Sequence, residues 1–187
     1  MILDGRVVAF PTETFYGLGA DALNKKALKK IFQVKGREEK KALPLLIADR
    51  TWLPGLVEKI SPRAEGLMKR FWPGPLTLVF EASRHLPRLL TANTGKVGIR
   101  ISSHPIAQAL VQAVGRAITA TIANRYGHPS ASSPSEVFQA MAQDLEAILD
   151  GGKTKGKLAS TVVDVSGASP KIIRQGAISR LELTPFL

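Results

Sequence analysis

With 187 residues, 44% of them apolar, the chain can bury a full core, and one domain spanning residues 1–187 is expected. The lack of cysteine excludes disulfides, thiolate metal sites and a thiol nucleophile. Three scattered histidines argue against zinc, and no run approaches the roughly 18 apolar residues of a membrane span. A formal charge of +11 points instead to an anionic partner: nucleic acid, a nucleotide or a phosphate-bearing metabolite.

Asp4 and Gly5 interrupt the N-terminus before any secretory signal pattern can form, so a cytoplasmic location is expected. The run Val7-Val8-Ala9-Phe10 reads as a strand, which Pro11, lacking a backbone donor, brings to an end. Thr12, Glu13 and Thr14 then stand where the strand opens into a loop, ahead of Gly17 and Gly19. Such strand-end loops carry ligands in α/β folds, although threonines also satisfy tight turns. The spacing of Ala27, Leu28, Ile31 and Phe32 predicts a helix over 25–34 with Asn24 as its N-cap. Lysines 25 to 30 suit the solvated face of that helix. Lys35, Arg37 and Lys41 lie where Gly36 breaks it, and a solvated face explains them less well.

Residues 43–48 read as a buried strand. Ser61-Pro62 opens a helix that Trp72-Pro73-Gly74-Pro75 stops. Residues 76–80 and 97–101 are strands, His104-Pro105 starts a helix that ends at Gly115, and 118–121 resumes as a strand. Ser133 and Glu136 form a capping box for a helix running to about residue 143. Residues 147–149 and 161–165 read as strands around the turn Asp150-Gly151-Gly152, and 172–174 as a last short strand. Trp72 and Phe71 read as core and His104 as a helix cap. Tyr16 either lines a cavity or anchors its loop. Interleaved strands and helices predict an α/β or α+β domain with a largely buried sheet.

Polar clusters fall at strand ends or in loops: 12–14, 35–41, 121–130, and Ser160 with Arg174, while Arg100 closes a strand. None is a P-loop or a dinucleotide fingerprint. A nucleotide site must therefore be assembled from side chains on separate segments.

In this order the clusters resemble the YrdC/TsaC family of L-threonylcarbamoyladenylate synthases. The matching stretches are Pro11-Thr12-Glu13-Thr14-Phe15-Tyr16-Gly17-Leu18-Gly19, Lys35-Gly36-Arg37, Trp72-Pro73-Gly74-Pro75-Leu76-Thr77 and Val97-Gly98-Ile99-Arg100. They continue with His104-Pro105, residues 120–124 with Gly127, Leu149-Asp150-Gly151-Gly152, Ser160-Thr161-Val162-Val163-Asp164 and Arg174-Gln175-Gly176. The resemblance implies a twisted, mostly mixed sheet with flanking helices around a large basic cavity. It also implies a nucleotidyltransferase that makes threonylcarbamoyl-AMP and pyrophosphate from L-threonine, bicarbonate and ATP. Partner proteins would then move the threonylcarbamoyl group to the adenosine beside the tRNA anticodon, with tRNA or other RNA as a further candidate partner.

By the same resemblance, Lys35 and Arg37 are the catalytic triphosphate ligands, with Lys41, Asn124, Ser130 and Arg174 also binding ATP. Thr14, Arg100, Ala120 and Ser160 surround L-threonine, Arg100 clasping its carboxylate and Thr121 adding to the wall. Mg²⁺ is expected with the triphosphate, and no organic cofactor or protein-held metal.

The chain departs from the family pattern at Ile122, where a serine hydroxyl is usual, and at Glu38 and Ala42, where prolines are usual. A lost hydrogen bond to a charged group costs about 1.5–3 kcal/mol. The chain also begins almost at its first strand, where relatives usually carry a helix beforehand whose loss would leave a sheet face or cavity wall less covered. It stops short of the extra C-terminal domain of longer members, so no lid from that domain is expected. Two rivals remain. One is an RNA-binding protein that uses the same positive surface without chemistry, although 6% aromatic content offers few stacking platforms. The other is a carbamoyl-transfer domain like the YrdC-like part of hydrogenase-maturation proteins, whose chains carry cysteine-rich zinc fingers absent here.

Overall fold

Alternation along the strands sorts the chain into two mixed sheets in the computed structural model, which describes residues 1–187. The smaller sheet runs β7 (Thr121–Ile122), β2 (Gly17–Gly19), β1 (Val8–Phe10), β8 (Ala147–Ile148). The larger runs β10 (Lys171–Arg174), β9 (Thr161–Asp164), β4 (Leu76–Glu81), β5 (Lys96–Arg100), β3 (Leu45–Leu46), β6 (Ile118–Thr119). Parallel pairs β1·β8, β3·β5 and β4·β9 sit among antiparallel ones. The mixed α/β class is therefore as expected, with two sheets where one was anticipated.

The expected strand over 118–121 divides at Ala120, whose N–H donates to Pro44 O at 2.8 Å. Residues before Ala120 pair with β3 and those after it with β2, so one extended segment stitches the two sheets together. The strand expected over 43–48 shrinks to two residues, because only Leu45 and Leu46 find partners on both sides. β2 had no strand signal. Its glycines are required because the buried Phe10 ring lies across them: a Cβ at Gly19 would come 2.9 Å from Phe10 Cε1, and one at Gly17 3.3 Å from Cζ. An aromatic over bare backbone replaces the side-chain pairing of an ordinary strand.

α1 (Lys25–Lys35) begins as predicted, with Asn24 accepting from Lys26 N and Ala27 N, and ends at Gly36 with φ 57°. That left-handed cap suits glycine, and any other residue would be strained by about 1–2 kcal/mol. α2 (Pro62–Phe71) is capped by Ser61. α3 (Arg88–Thr91) is one turn. α4 (Pro105–Val114) is capped by His104, whose imidazole accepts from Ile106 N, so His104 acts as a cap. In α5 (Pro134–Met141) the expected box is offset: Ser133 accepts from Glu136 N, but the Glu136 carboxylate turns to Ser132. The reciprocal box forms at α6 (Arg180–Leu183) between Ser179 and Glu182.

The main core gathers Leu18, Leu28, Ile31, Leu67, Leu78, Phe80, Ile99 and Val163, with Trp72 and Phe71 at its edge as expected. Trp72 Nε1 donates to Leu76 O at 2.7 Å, which satisfies its buried indole N–H. A smaller cluster of Phe10, Leu46, Val111 and Ile118 seats α4. No helix is long and apolar enough to cross a membrane.

Candidate active site

The strand alternation that builds the core also builds a cavity. On β4, Leu76, Leu78 and Phe80 face the core, while Thr77 and Val79 face the cavity. On β5, Val97 and Ile99 are buried, whereas Lys96, Gly98 and Arg100 line the opening. Ser160 and Val162 continue this floor at β9, with Ile173 and Arg174 from β10. The opposite wall comes from the β1–β2 loop (Thr12, Thr14, Phe15, Tyr16), the end of α1 (Lys35, Arg37) and residues 120–124. The cavity holds about 600 Å³, within the range of small-ligand pockets. Gly98 keeps the floor low, since a Cβ there would stand 3.2 Å from Thr77 Cγ2.

Five cationic side chains line this space (Lys35, Arg37, Lys96, Arg100, Arg174), and no carboxylate does. Two are neutralised from behind: Lys96 pairs with Asp164 at 2.8 Å and Arg100 with Glu13 at 2.9 Å. Burial pushes the Arg37 and Arg174 guanidiniums below the ordinary arginine range, with Arg100 repelling Arg174 further. Burial and then Arg37 push Lys35 down to about 7. A buried group of unpaired cations is an unmet demand for anionic charge. Arg37 Nε adds to it, being buried with no acceptor.

Lys35 Nζ donates to Ile122 O at 2.6 Å and to Asn124 O and Oδ1 at 2.8 Å. Asn124 Nδ2 in turn donates to His128 O. Arg37 Nη2 donates to Lys41 O at 2.8 Å. Arg174 Nη2 donates to Ser160 O and Oγ, and Ser160 Oγ lies 2.9 Å from Thr77 Oγ1. Thr12 Oγ1 donates to Phe15 O and accepts from Thr14 N, so the 3.0 Å contact between the two hydroxyls must have Thr14 as donor. Thr14 Oγ1 accepts from Arg100 Nη1 at 3.4 Å and keeps one acceptor position for whatever approaches through the cavity.

Of the residues singled out in the sequence, Thr14, Lys35, Arg37, Arg100, Ala120, Thr121, Asn124, Ser160 and Arg174 meet in this cavity. Ser130 and Lys41 lie outside its lining; Lys41 reaches Tyr126 OH at 2.8 Å near the mouth. Tyr16 fills both roles left open for it, lining the cavity and donating to Gly152 O at 2.8 Å. Sequence reasoning missed Thr77, Lys96 and Tyr126. The first two share the cavity-facing alternation of Gly98 and Arg100, a signal that was present. Tyr126 carried none beyond its closeness to Asn124.

A family model named for Sua5, YciO and YrdC and described as "Telomere recombination" matches residues 1–176. The chain belongs to the Sua5/YciO/YrdC family. It is 42% identical over 182 residues to the threonylcarbamoyl-AMP synthase of Pyrococcus abyssi, covering 97% of this chain and 54% of that protein. To the synthase of Bacillus subtilis it is 39% identical over 184 residues, covering 98% and 53%. The chain thus spans about half the length of these curated relatives. The crystal structure of P. abyssi Sua5 complexed with L-threonine superposes with a TM-score of 0.96 at 41% identity, over 100% of this chain and 55% of that one. In this member of the family, Ile122 lines the cavity and presents only its carbonyl to Lys35.

Proposed function

We propose that this chain is an L-threonylcarbamoyl-adenylate synthase, a nucleotidyltransferase that converts L-threonine, bicarbonate and ATP into threonylcarbamoyl-AMP, pyrophosphate and water. The observation that carries this reading is a cavity in which uncompensated cations stand beside hydroxyls and a guanidinium, in a fold matching a threonine-bound relative.

The threonine amine takes up bicarbonate or its carbon dioxide to become a carbamate. A carbamate oxygen then attacks the α-phosphorus and pyrophosphate leaves. Both reactants are anions, so the barrier contains a large repulsive part that Lys35, Arg37 and Arg174 would offset. Arginine supplies a planar fork for phosphate and lysine a point charge. Arg100 would take the amino-acid carboxylate, Thr14 would accept from its ammonium or hydroxyl, and Ser160 would sit between threonine and nucleotide. No side chain needs to become a nucleophile, because positioning and charge suffice for such transfers. With no carboxylate in the lining, Mg²⁺ would enter on the triphosphate and be held by phosphate oxygens. The product would pass to proteins that transfer threonylcarbamoyl to tRNA, a role that implies the cytoplasm.

The test is incubation with α-labelled ATP, bicarbonate and Mg²⁺, with and without L-threonine. Threonine-dependent formation of a labile adenylate and pyrophosphate is expected. Salt-sensitive RNA binding without turnover would overturn the reading in favour of an RNA-binding protein.

A further inference from the structure

Glu13 does not line the cavity, yet its carboxylate organises one wall of it. Oε1 accepts from Arg100 Nη1 at 2.9 Å, and Oε2 accepts from Ser102 Oγ. Ser102 is itself fixed twice: its Oγ accepts from His104 N at 3.2 Å, and its carbonyl accepts from Gln108 Nε2 at 2.7 Å. The Glu13 carboxylate is thus fastened to the start of α4 on one side and grips Arg100 on the other. Side-chain exposure is 15% for Glu13 and 7% for Arg100, so water screens the pair little.

The consequence is directional. Both side-chain hydrogen bonds of Arg100, to Glu13 and at 3.4 Å to Thr14 Oγ1, use Nη1. Nε and Nη2 take no acceptor from the protein and are not buried orphans, so they open toward the cavity. A guanidinium offers carboxylate ligands a planar fork. Pinning one nitrogen from behind fixes the plane of the remaining donors and forgoes rotamer freedom that a ligand would otherwise have to remove.

We infer that Glu13 is a positioning residue for the amino-acid subsite: anchored through Ser102 to the start of α4, it orients Arg100 so that its free edge selects a ligand carboxylate. The inference rests on the proposed function insofar as that ligand is L-threonine. It adds a residue that touches neither substrate and assigns it selectivity for the carboxylate.

The experiment measures calorimetric affinities of the full chain for L-threonine, L-threoninamide (which lacks the carboxylate charge) and ATP. Wild type is expected to prefer threonine over the amide. Glu13→Ala should weaken threonine about tenfold, leave the amide and ATP within about twofold, and so narrow the threonine-to-amide ratio about tenfold. Glu13→Gln retains an acceptor for Arg100 and a donor for Ser102, and should restore most of the ratio. If Glu13→Ala fails to fold, Ser102→Ala carries the test, with a roughly threefold loss confined to threonine. An unchanged ratio in a folded variant, or equal losses for all three ligands, overturns the inference while leaving the synthase reading intact. Wild type that binds no threonine overturns both.

Discussion

Lys35 and Asn124 hold each other across the cavity wall: the lysine ammonium donates at 2.8 Å to both the backbone and side-chain oxygens of Asn124, joining the end of α1 to the segment after β7. With Ile122 O as third acceptor, the three ammonium hydrogens are engaged within the protein. A phosphate approaching Lys35 therefore exchanges with a carbonyl or amide oxygen.

On the proposed function, that exchange would make nucleotide binding sensitive to pH. Burial and Arg37 lower Lys35 from 10.5 to about 7, and a triphosphate favours its protonated form. ATP affinity should be greatest below about pH 7 and fall as pH rises through it, by up to about tenfold per unit. For folding the sign is opposite: between about 7 and 10.5 the unfolded chain binds more protons at this lysine, so its burial penalty shrinks as pH rises. Calorimetric titration of ATP across this range checks the first statement. Lys35→Arg should flatten the profile while preserving the titration of ATP itself.

Arg37 lines the cavity, lies over the Phe32 ring at 5.5 Å and carries a buried, unmet Nε–H. On the proposed reaction, Arg37→Ala should lower turnover at least about a thousandfold, because the charge it supplies would matter most as pyrophosphate departs. Single-turnover measurement of adenylate formation, with melting temperature as a folding control, reads this out. Loss confined to ATP affinity, with normal turnover at saturation, would contradict it.

Ile122 contributes an apolar side chain where the family resemblance leads one to expect a hydroxyl. Ile122→Ser should tighten ATP binding about ten- to a hundredfold, since a restored donor to a charged phosphate is worth about 1.5–3 kcal/mol. Unchanged ATP affinity would mean that this position does not reach the triphosphate.

Gly19 lies under the Phe10 ring, where a Cβ would stand 2.9 Å from Cε1. Gly19→Val should destabilise the fold by about 1–3 kcal/mol through overpacking. Urea denaturation should show the fall in midpoint. Phe10→Ala in the same background should relieve part of the clash and give a non-additive double mutant.

The sequence by itself determined the helices with caps, because Asn24, Ser61 and His104 are local hydrogen-bond acceptors that act within three residues. It also determined the long strands β4 and β5, whose period of two separates core from cavity, and a family resemblance that assigned site roles to nine of the cavity's lining residues. Only the tertiary structure decided what depends on distant partners. Residues 118–122 belong to two sheets because β3 and β2 compete for them. Gly17-Leu18-Gly19 becomes a strand because an aromatic ring covers it. Glu13 faces Arg100 rather than the ligand because Ser102, 89 positions away, holds its other oxygen. Hydrogen-bond capping is local and written in neighbouring residues, whereas sheet pairing and cavity charge arise from segments that meet only when the chain is folded.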